Sequence, residues 1–262
     1  MPAWPREQNT VSDPDANPIL PISQEVLRED ILHSHIYPNL TQVYYWSEDW
    51  DPGFYIALAH AGFISISHEH PEYGPLLIPE MQECYAVLDW SELHRSRKLC
   101  KLMRSERLAE ESIELRLVDD TGRVIERLVD YHTPSTWLTR PYREMLRRLP
   151  TGARTDFSLH GVELWSRKRD RLIAGELGYS LGRTYTSLSG FCTRPNPEWR
   201  RFGTLQQVLL ARRLEACGYA FWNMGDPGPA YKRELGARIL PRHDFLERWL
   251  RARDELPARA LG

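Results

Sequence analysis

The stretch that decides the fold is residues 172–238, which reads LIAGELGYSLGRTYTSLSGFCTRPNPEWRRFGTLQQVLLARRLEACGYAFWNMGDPGPAYKRELGAR. Its first part predicts two strands joined by a tight turn at Leu181-Gly182-Arg183, because glycine adopts a positive φ at low cost. A polar loop then leads through Gly203 into a helix over 204–217. The helix stops before Gly218, and an aromatic strand from Tyr219 to Trp222 follows.

The order strand, strand, loop, helix, strand is found at the acyl-donor site of N-acyltransferases. It aims a helix N-terminus at a V between two strands, where a thioester or ester donor could lie. Arg201 and Gly203 could bind the phosphate of such a donor, because a helix start offers backbone N–H groups and the arginine adds a cation. Thr204 could instead be a simple N-cap.

Composition bounds the class of protein. The chain has 262 residues with 42% hydrophobic and 27% charged residues, which suits one large domain or two small ones that share a core. No apolar run approaches the roughly 20 residues of a membrane span. The N-terminal residues lack the apolar run of a signal peptide. We therefore expect a cytoplasmic protein that makes no membrane contact.

The four cysteines carry no metal-site pattern. They form no C-x-x-C pair and no cluster with zinc spacing, so free thiols in a reducing compartment are expected. Walker and dinucleotide fingerprints are also missing. We therefore expect no metal and no cofactor. We also expect a monomer.

Positive charge is concentrated in two runs, although the formal net charge is only −2. Residues 93–107 read LHRSRKLCKLMRSER, and a second run spans 140–154. Such patches could hold an acidic ligand on a nearly neutral protein. The alternative is that each run is a solvated helix face.

The chain is predicted to divide into four segments. These are a flexible arm over 1–20, a smaller N-terminal α+β domain over 21–110, a larger domain over 111–252, and a tail over 253–262. The N-terminal domain should contain a helix capped by Asp51. The second half of ELRLVDDTGRVIERLVDYH, residues 114–132, fits either a strand or a helix.

Polar residues near the aromatic strand are the candidate catalytic groups. The strand after Gly182 offers Thr186 or Ser189 to orient an amine or polarise a carbonyl. Asn223, Asp226 and Tyr231 follow the aromatic strand, and Asp226 is a candidate general base. The alternative is that these hydroxyls bond only neighbouring backbone and that Asp226 forms an Asx turn before Pro227.

Several ordered segments together resemble the leucyl/phenylalanyl-tRNA–protein transferases, from about residue 40 to residue 250. These are LLIPEMQECYAVLDWSELHRSRKL, the tetrapeptide WLTR, the hairpin VELW…LIAGELGYSLG and the C-terminal piece YKRELGARILPRHDFL. The resemblance implies an α+β fold, in which a GNAT-like acyltransferase domain carries a smaller N-terminal domain. It implies transfer of a hydrophobic, leucine- or phenylalanine-like amino acid from a charged tRNA to a protein N-terminal α-amine, linked to N-degron turnover.

The resemblance also assigns roles to individual residues. The tRNA-contacting cluster falls on Arg97, Lys98, Lys101 and Arg104, which would bind phosphates without reading sequence. The catalytic group would be Asp226 with Asn223 or Ser189. The residues expected to line the substrate site are Tyr185, Thr186, Trp222, Met224 and Tyr231.

The chain departs from the family at the expected catalytic positions. The family's Asp-x-Gln pair falls on Met224 and Asp226, and its glutamate on the preceding strand falls on Ser189. Two alternatives therefore stay open. The fold could use another donor, such as acyl-CoA held at Arg201 and Gly203, or the chain could be a non-catalytic module that binds tRNA or N-termini.

Overall fold

A computed structural model describes residues 19–152, 156–193 and 197–261. Most of the predicted flexible arm, residues 1–18, lies outside this part. The strands are β1 (Leu20–Pro21), β2 (Tyr45–Trp46), β3 (Ile64–His70), β4 (Gly74–Glu80), β5 (Cys84–Leu88), β6 (Ile113–Val118), β7 (Phe157–Ser166), β8 (Arg171–Leu181), β9 (Thr184–Cys192), β10 (Phe221–Gly225) and β11 (Arg238–Pro241). The α-helices are α1 (Glu29–Ile31), α2 (Pro52–His60), α3 (Arg97–Met103), α4 (Arg107–Glu110), α5 (Gly122–His132), α6 (Arg140–Leu146), α7 (Phe202–Cys217), α8 (Ala230–Glu234) and α9 (Arg242–Ala252).

A seven-stranded mixed sheet forms the centre of the molecule, in the order β11-β5-β10-β9-β8-β7-β6. Strands β6 to β9 are antiparallel neighbours, β9 and β10 are parallel, and β5 is antiparallel to both β10 and β11. A sheet of this kind with helices on it confirms the α+β class. The GNAT-like assignment stays a prediction.

The N-terminal part of the chain contributes one strand to the central sheet. β5 is inserted between β10 and β11, with Leu88 opposite Trp222 and Tyr85 opposite Leu240. The remaining N-terminal strands form two smaller pairs, β1 with β2 and β3 with β4. The domain boundary at residue 110 stays a prediction.

The two faces of the sheet bury different sets of helices. Successive residues of β5 alternate between them, since Tyr85 and Val87 belong to one apolar core and Ala86 and Leu88 to the other. The first core contains residues of α2, α5, α6 and α9, and the second contains residues of α3 and α7. We call these the α5 face and the α7 face.

The predicted hairpin over 172–191 is confirmed. β8 and β9 pair antiparallel around Gly182, whose φ is +51°. A Cβ atom at this glycine would lie 2.1 Å from the carbonyl oxygen of Arg253, so both conformation and space require glycine. Asp51 caps α2 as expected, because its side chain accepts hydrogen bonds from the N–H groups of Gly53 and Phe54.

Two open alternatives are decided by the structure. The segment after Gly122 is helical rather than extended, because Val124, Ile125 and Leu128 bury one helical stripe. Helix α7 begins at Phe202, with Arg201 at the N-cap in the left-handed conformation at φ +73°. Thr204 therefore lies inside the helix and is not its N-cap.

Candidate active site

Strands β9 and β10 stay paired over only a short length. The parallel partners are Phe221 with Thr184, Trp222 with Tyr185, and Asn223 with Thr186. β9 continues to Cys192 along β8 alone, while β10 shifts register against β5 between Asn223 and Gly225. We call the point where β9 and β10 part, just beyond Thr186 and Asn223, the fork. The V expected from the sequence is present there.

Asn223 fixes the geometry of the fork from β10. Its Oδ1 accepts a hydrogen bond of 2.9 Å from the N–H of Gly225, and its Nδ2 donates to Thr186 Oγ1 over 3.4 Å. Gly225 has a φ of +70°, a conformation that favours glycine. Asn223 is 1% exposed. The buried amide therefore joins the last strand pair to the turn that ends β10.

Lys232 of α8 binds the backbone at the end of β10. Its Nζ donates hydrogen bonds of 2.6 Å to the carbonyl oxygens of Met224 and Asp226. The ammonium group therefore occupies one lone pair of each carbonyl oxygen, just beyond the residues where β10 pairs with β9. Burial lowers the pKa of Lys232 to about 8, and the Asp226 and Glu176 carboxylates oppose this shift.

A buried hydrogen-bonded chain lies on the α7 face of the fork. Trp222 Nε1 donates to Ser187 Oγ over 2.7 Å, and Ser187 Oγ donates to Glu176 Oε1 over 2.7 Å. Tyr185 Oη donates to the same carboxylate oxygen over 3.2 Å. A Cβ at Gly178 would lie 2.3 Å from that hydroxyl, so the glycine makes room for it.

Glu176 is 3% exposed, and its ionisation is strongly perturbed. Burial raises the pKa of Glu176 to about 7, while hydrogen bonds from Ser187 and Tyr185 and the charge of Lys232 oppose the shift. A carboxyl group with a pKa near neutrality can accept and release protons at physiological pH. Clustering of perturbed groups at a strand opening is typical of functional sites.

A second buried carboxylate approaches the fork from the N-terminal part. Glu80 ends β4 and is 8% exposed. Burial raises the pKa of Glu80 to about 7; its hydrogen bond with Gln82 opposes the shift, and the Asp226 charge adds to it. Asp226 acts electrostatically on Glu80 and on Lys232, and Glu176 also acts on Lys232, so the three carboxylates belong to one electrostatic cluster near the end of β10.

Asp226 is half-buried just beyond β10. Its Oδ1 accepts a hydrogen bond of 3.0 Å from the N–H of Gly228. This is the Asx turn that the sequence predicts as the alternative to a catalytic role. Asp226 also contributes charge to Lys232 and Glu80. The turn and a site role are compatible, since a carboxylate has about four lone-pair positions. Its catalytic role stays a prediction.

Ser189 lies on the opposite face of the sheet from Ser187. Its Oγ is 3.0 Å from His132 Nε2, at the end of α5. The register between β8 and β9 shifts here, since Ser189 is opposite Leu177 while Ser187 is opposite Gly178. The extra residue, Leu188, forms a bulge that turns the two serines to different faces.

The other predicted substrate residues divide by exposure. Tyr185, Thr186 and Trp222 are fully buried, and Met224 is 3% exposed in the core of the α7 face. Tyr231 of α8 is 45% exposed. The first three lie at the fork, the carbonyl oxygen of Met224 binds Lys232 at the end of β10, and Tyr231 lies on the neighbouring surface.

The basic residues of α3 form one exposed surface. Arg97, Lys98, Lys101 and Arg104 are all exposed, while Leu99 packs into the core. An open depression is lined by Arg97, Lys101, Arg104 and Ser105. In the described part of the chain, none of these four cations makes an ion pair. Their charge is available to an anionic partner.

The second basic run differs in this respect. Arg140 pairs with Glu144, Arg147 pairs with Glu126, and Arg148 donates to the carbonyl oxygen of Trp50. Arg154 lies outside the described residues. Much of the positive charge of this run is used within the protein, so α3 is the better candidate for binding an anion.

The basic helix is attached to the element that shapes the fork. The N–H of His94, just before α3, donates to the carbonyl oxygen of Leu235 at the end of α8 over 2.8 Å. Gly236 has a φ of +108°, and a Cβ there would lie 1.9 Å from the carbonyl oxygen of Glu92. Because α8 also carries Lys232, the basic surface and the fork share one support.

The alternative phosphate site lies at the start of α7. Gly203 packs against the end of β9, since a Cβ there would lie 3.3 Å from Cys192 Cβ. Arg201 is half-buried at the N-cap. The arrangement offers backbone N–H groups, and phosphate binding at Arg201 and Gly203 stays a prediction.

Four residues of the fork were not singled out from the sequence: Ser187, Glu176, Lys232 and Glu80. The sequence does mark Glu176, since it is the one carboxylate inside the apolar run LIAGELGYSL, and an acidic residue in a buried strand is unusual. Ser187 had none, because the bulge that orients it depends on pairing with β8. Among the described residues no group of three His, Cys, Asp or Glu side chains could hold a metal ion, and no helix there is long and apolar enough to cross a membrane.

Comparison with known proteins gives a consistent result. The family model of leucyl/phenylalanyl-tRNA protein transferase matches residues 87–250. The chain is 27% identical over 215 residues to the leucyl/phenylalanyl-tRNA–protein transferase of Ectopseudomonas mendocina (strain ymp), covering 78% of this chain and 87% of that protein. It is 29% identical over 196 residues to the transferase of the same name from Pseudomonas paraeruginosa (strain DSM 24068 / PA7), covering 70% of this chain and 79% of that protein.

Among solved structures, the chain is similar to L-PGS from Bacillus licheniformis with a TM-score of 0.41 and 10% identity. The match covers 60% of this chain and 57% of that one. A likeness of this size assigns nothing to the chain.

Proposed function

Since the chain belongs to the leucyl/phenylalanyl-tRNA–protein transferase family, a family of aminoacyltransferases, we propose that it moves a leucine- or phenylalanine-like amino acid from a charged tRNA to a protein N-terminal α-amine. The observation that carries this proposal is that the matched segment, residues 87–250, contains both the fork and the basic helix α3. A cytoplasmic role in N-degron turnover follows from the same proposal.

The fork supplies what an aminoacyl ester needs. The ester is already activated, so the protein's task is to position the carbonyl carbon next to the attacking amine. The amine must be neutral to attack, and the carboxylates of Glu80, Glu176 and Asp226 provide acceptors for its N–H groups. The donor would lie between β9 and β10, beyond the hydrogen bond between Asn223 and Thr186 that ends their paired part, where Lys232 binds the end of β10.

The basic helix supplies what the tRNA needs. Arg97, Lys98, Lys101 and Arg104 present unpaired cations on one surface, which suits a phosphate backbone. Phosphate contacts position a nucleic acid without reading its sequence. This is sufficient here, because the amino acid and not the tRNA sequence would select the donor at the fork.

A transfer assay tests the proposal. The protein is mixed with tRNA charged with radiolabelled leucine or phenylalanine and with a peptide that begins with lysine or arginine. We expect the label on the peptide, and none on a matched peptide whose α-amine is acetylated. Transfer from a labelled acyl-CoA and not from charged tRNA would contradict the proposed donor. Transfer from neither would favour a binding module.

A further inference from the structure

The chain Trp222–Ser187–Glu176 has the polarity of a proton relay. Trp222 Nε1 can only donate, so Ser187 Oγ accepts from it over 2.7 Å. The Ser187 hydroxyl then donates its one proton to Glu176 Oε1 over 2.7 Å. A hydroxyl oxygen has two lone pairs, and the indole takes one of them. Ser187 therefore keeps one lone pair for a further donor.

Ser187 is placed where such a donor would arrive. It follows Thr186, the last residue of β9 that pairs with β10, so it is the first residue of β9 inside the fork. It is half-buried, whereas Glu176 behind it is 3% exposed. A substrate amine can therefore reach the serine oxygen, and the serine connects it to a carboxylate that water does not reach freely.

We propose that Ser187 and Glu176 carry the proton of the attacking α-amine: Ser187 Oγ accepts it and passes its own proton to Glu176 Oε1. This inference rests on the proposed function. The amine nitrogen forms a bond to the ester carbonyl carbon, and the bond from that carbon to the ribose oxygen breaks. The proton then returns from Glu176 through Ser187 Oγ to the ribose oxygen, which restores the carboxylate and the serine hydroxyl.

The neighbouring groups are less well placed for this role. Asp226 already accepts the Gly228 N–H in a turn and is not connected to a buried chain. The pair of Ser189 and His132 lies on the α5 face, behind the sheet from Ser187. Burial sets the pKa of Glu176 at about 7, so its ionised form is present at neutral pH.

The charged and titratable groups around Glu176 come from two other elements. Tyr185 of β9 donates to it, and its pKa is raised far above the physiological range by burial. Lys232 and Tyr231 of α8 also act on it electrostatically. Lys232 has a pKa of about 8 and Tyr231 has a pKa of about 12. Between pH 5.5 and 7, Lys232 therefore stays mainly charged and Tyr231 stays neutral. Glu176 titrates across that range, and so does Glu80 of β4, whose pKa burial also raises to about 7.

The test is the pH profile of transfer, measured as kcat/KM for the peptide between pH 5.5 and 7. Two groups must lose a proton in the wild type, the peptide amine with a pKa of about 7.7–8.0 and Glu176, so the rate should rise by up to about 100-fold per pH unit. In Glu176→Gln the rise should fall to about tenfold per unit, because the relay carboxyl is gone and Glu80, which also titrates near pH 7, takes no part in the relay. At pH 7.5 we expect its rate to be about 10²–10³-fold lower.

Controls separate the relay from simple loss of structure. Glu163→Gln alters another buried glutamate, which lies on β7 and bonds Trp165, and it should keep both the steep profile and a rate close to that of the wild type. Ser187→Ala should lose activity like Glu176→Gln, and Ser187→Thr, which restores a hydroxyl, should recover most of it. The affinity for tRNA should not change in any of them.

The outcomes distinguish the two proposals. A wild-type protein that transfers from no charged tRNA contradicts the proposed function itself. A wild type that transfers, with Glu176→Gln keeping the steep profile and most of the rate, overturns the relay alone. If Glu176→Gln does not fold, the serine variants decide: wild-type activity in Ser187→Ala overturns the relay, and its loss with recovery in Ser187→Thr supports it.

Discussion

Reversing the charge of Arg97 and Lys101 together should weaken binding of a charged tRNA by on the order of 100-fold at about 0.15 M salt. Both side chains are exposed on α3 and line the same depression. Each phosphate contact releases condensed counterions, so the slope of log affinity against log salt concentration should fall by about 2 in the double variant. Fluorescence anisotropy with labelled tRNA over a salt series measures both quantities.

A matched control is the double variant Arg28→Glu and Arg251→Glu, which changes the net charge by the same amount. Both residues are exposed and form surface ion pairs, with Asp30 and Glu247. Such pairs contribute only about 0–1 kcal/mol, so the fold should persist. The control should lose no more than a few-fold in affinity. Equal losses in the two double variants would show that only net charge matters and would reject α3 as the tRNA surface.

Replacing Arg242 with leucine should destabilise the fold by on the order of 5 kcal/mol, because each buried acceptor left unpaired costs about 1–3 kcal/mol. The Arg242 side chain is fully buried, and its donors reach five backbone carbonyl oxygens, those of Ile36, Asn39, Gln42, Met81 and Gln82. The total stability of a domain is only about 5–15 kcal/mol. Much of the variant should therefore be unfolded at room temperature.

Urea unfolding followed by tryptophan fluorescence measures this loss. The control is Arg251→Leu on the same helix, α9, where the arginine side chain is 73% exposed and pairs with Glu247. Surface changes of this kind usually alter stability by less than about 0.5 kcal/mol. An Arg242→Leu protein whose unfolding midpoint matches that of the control would show that the buried guanidinium does not hold the N-terminal segment to the sheet.

The backbone of the fork could be predicted from local chemistry. Gly182 and Gly218 mark the ends of a strand and of a helix, and both adopt a positive φ in the structure. The apolar spacing between them distinguishes the strand from the helix. The α3 cations were also evident, since a helix places residues at positions i, i+3 and i+4 on one side. These signals depend only on residues close in sequence.

The chemistry inside the fork depends on long-range pairing and could not be predicted in the same way. Strict alternation places Ser187 and Ser189 on one face of β9, whereas the bulge at Leu188 turns them to opposite faces. Lys232 bonds backbone carbonyls, which leave no mark in the sequence. Glu80 reaches the site from β4, far away along the chain.

The most direct test of the acyl site is a crystal structure of the protein bound to an adenosine that carries phenylalanine through a non-hydrolysable amide. The account predicts the acyl group between β9 and β10, next to Ser187 and Asn223, with the strands parted as described. A complex in which the two strands pair onward through Ser189 and Asp226, with the analogue bound elsewhere on the surface, would contradict it.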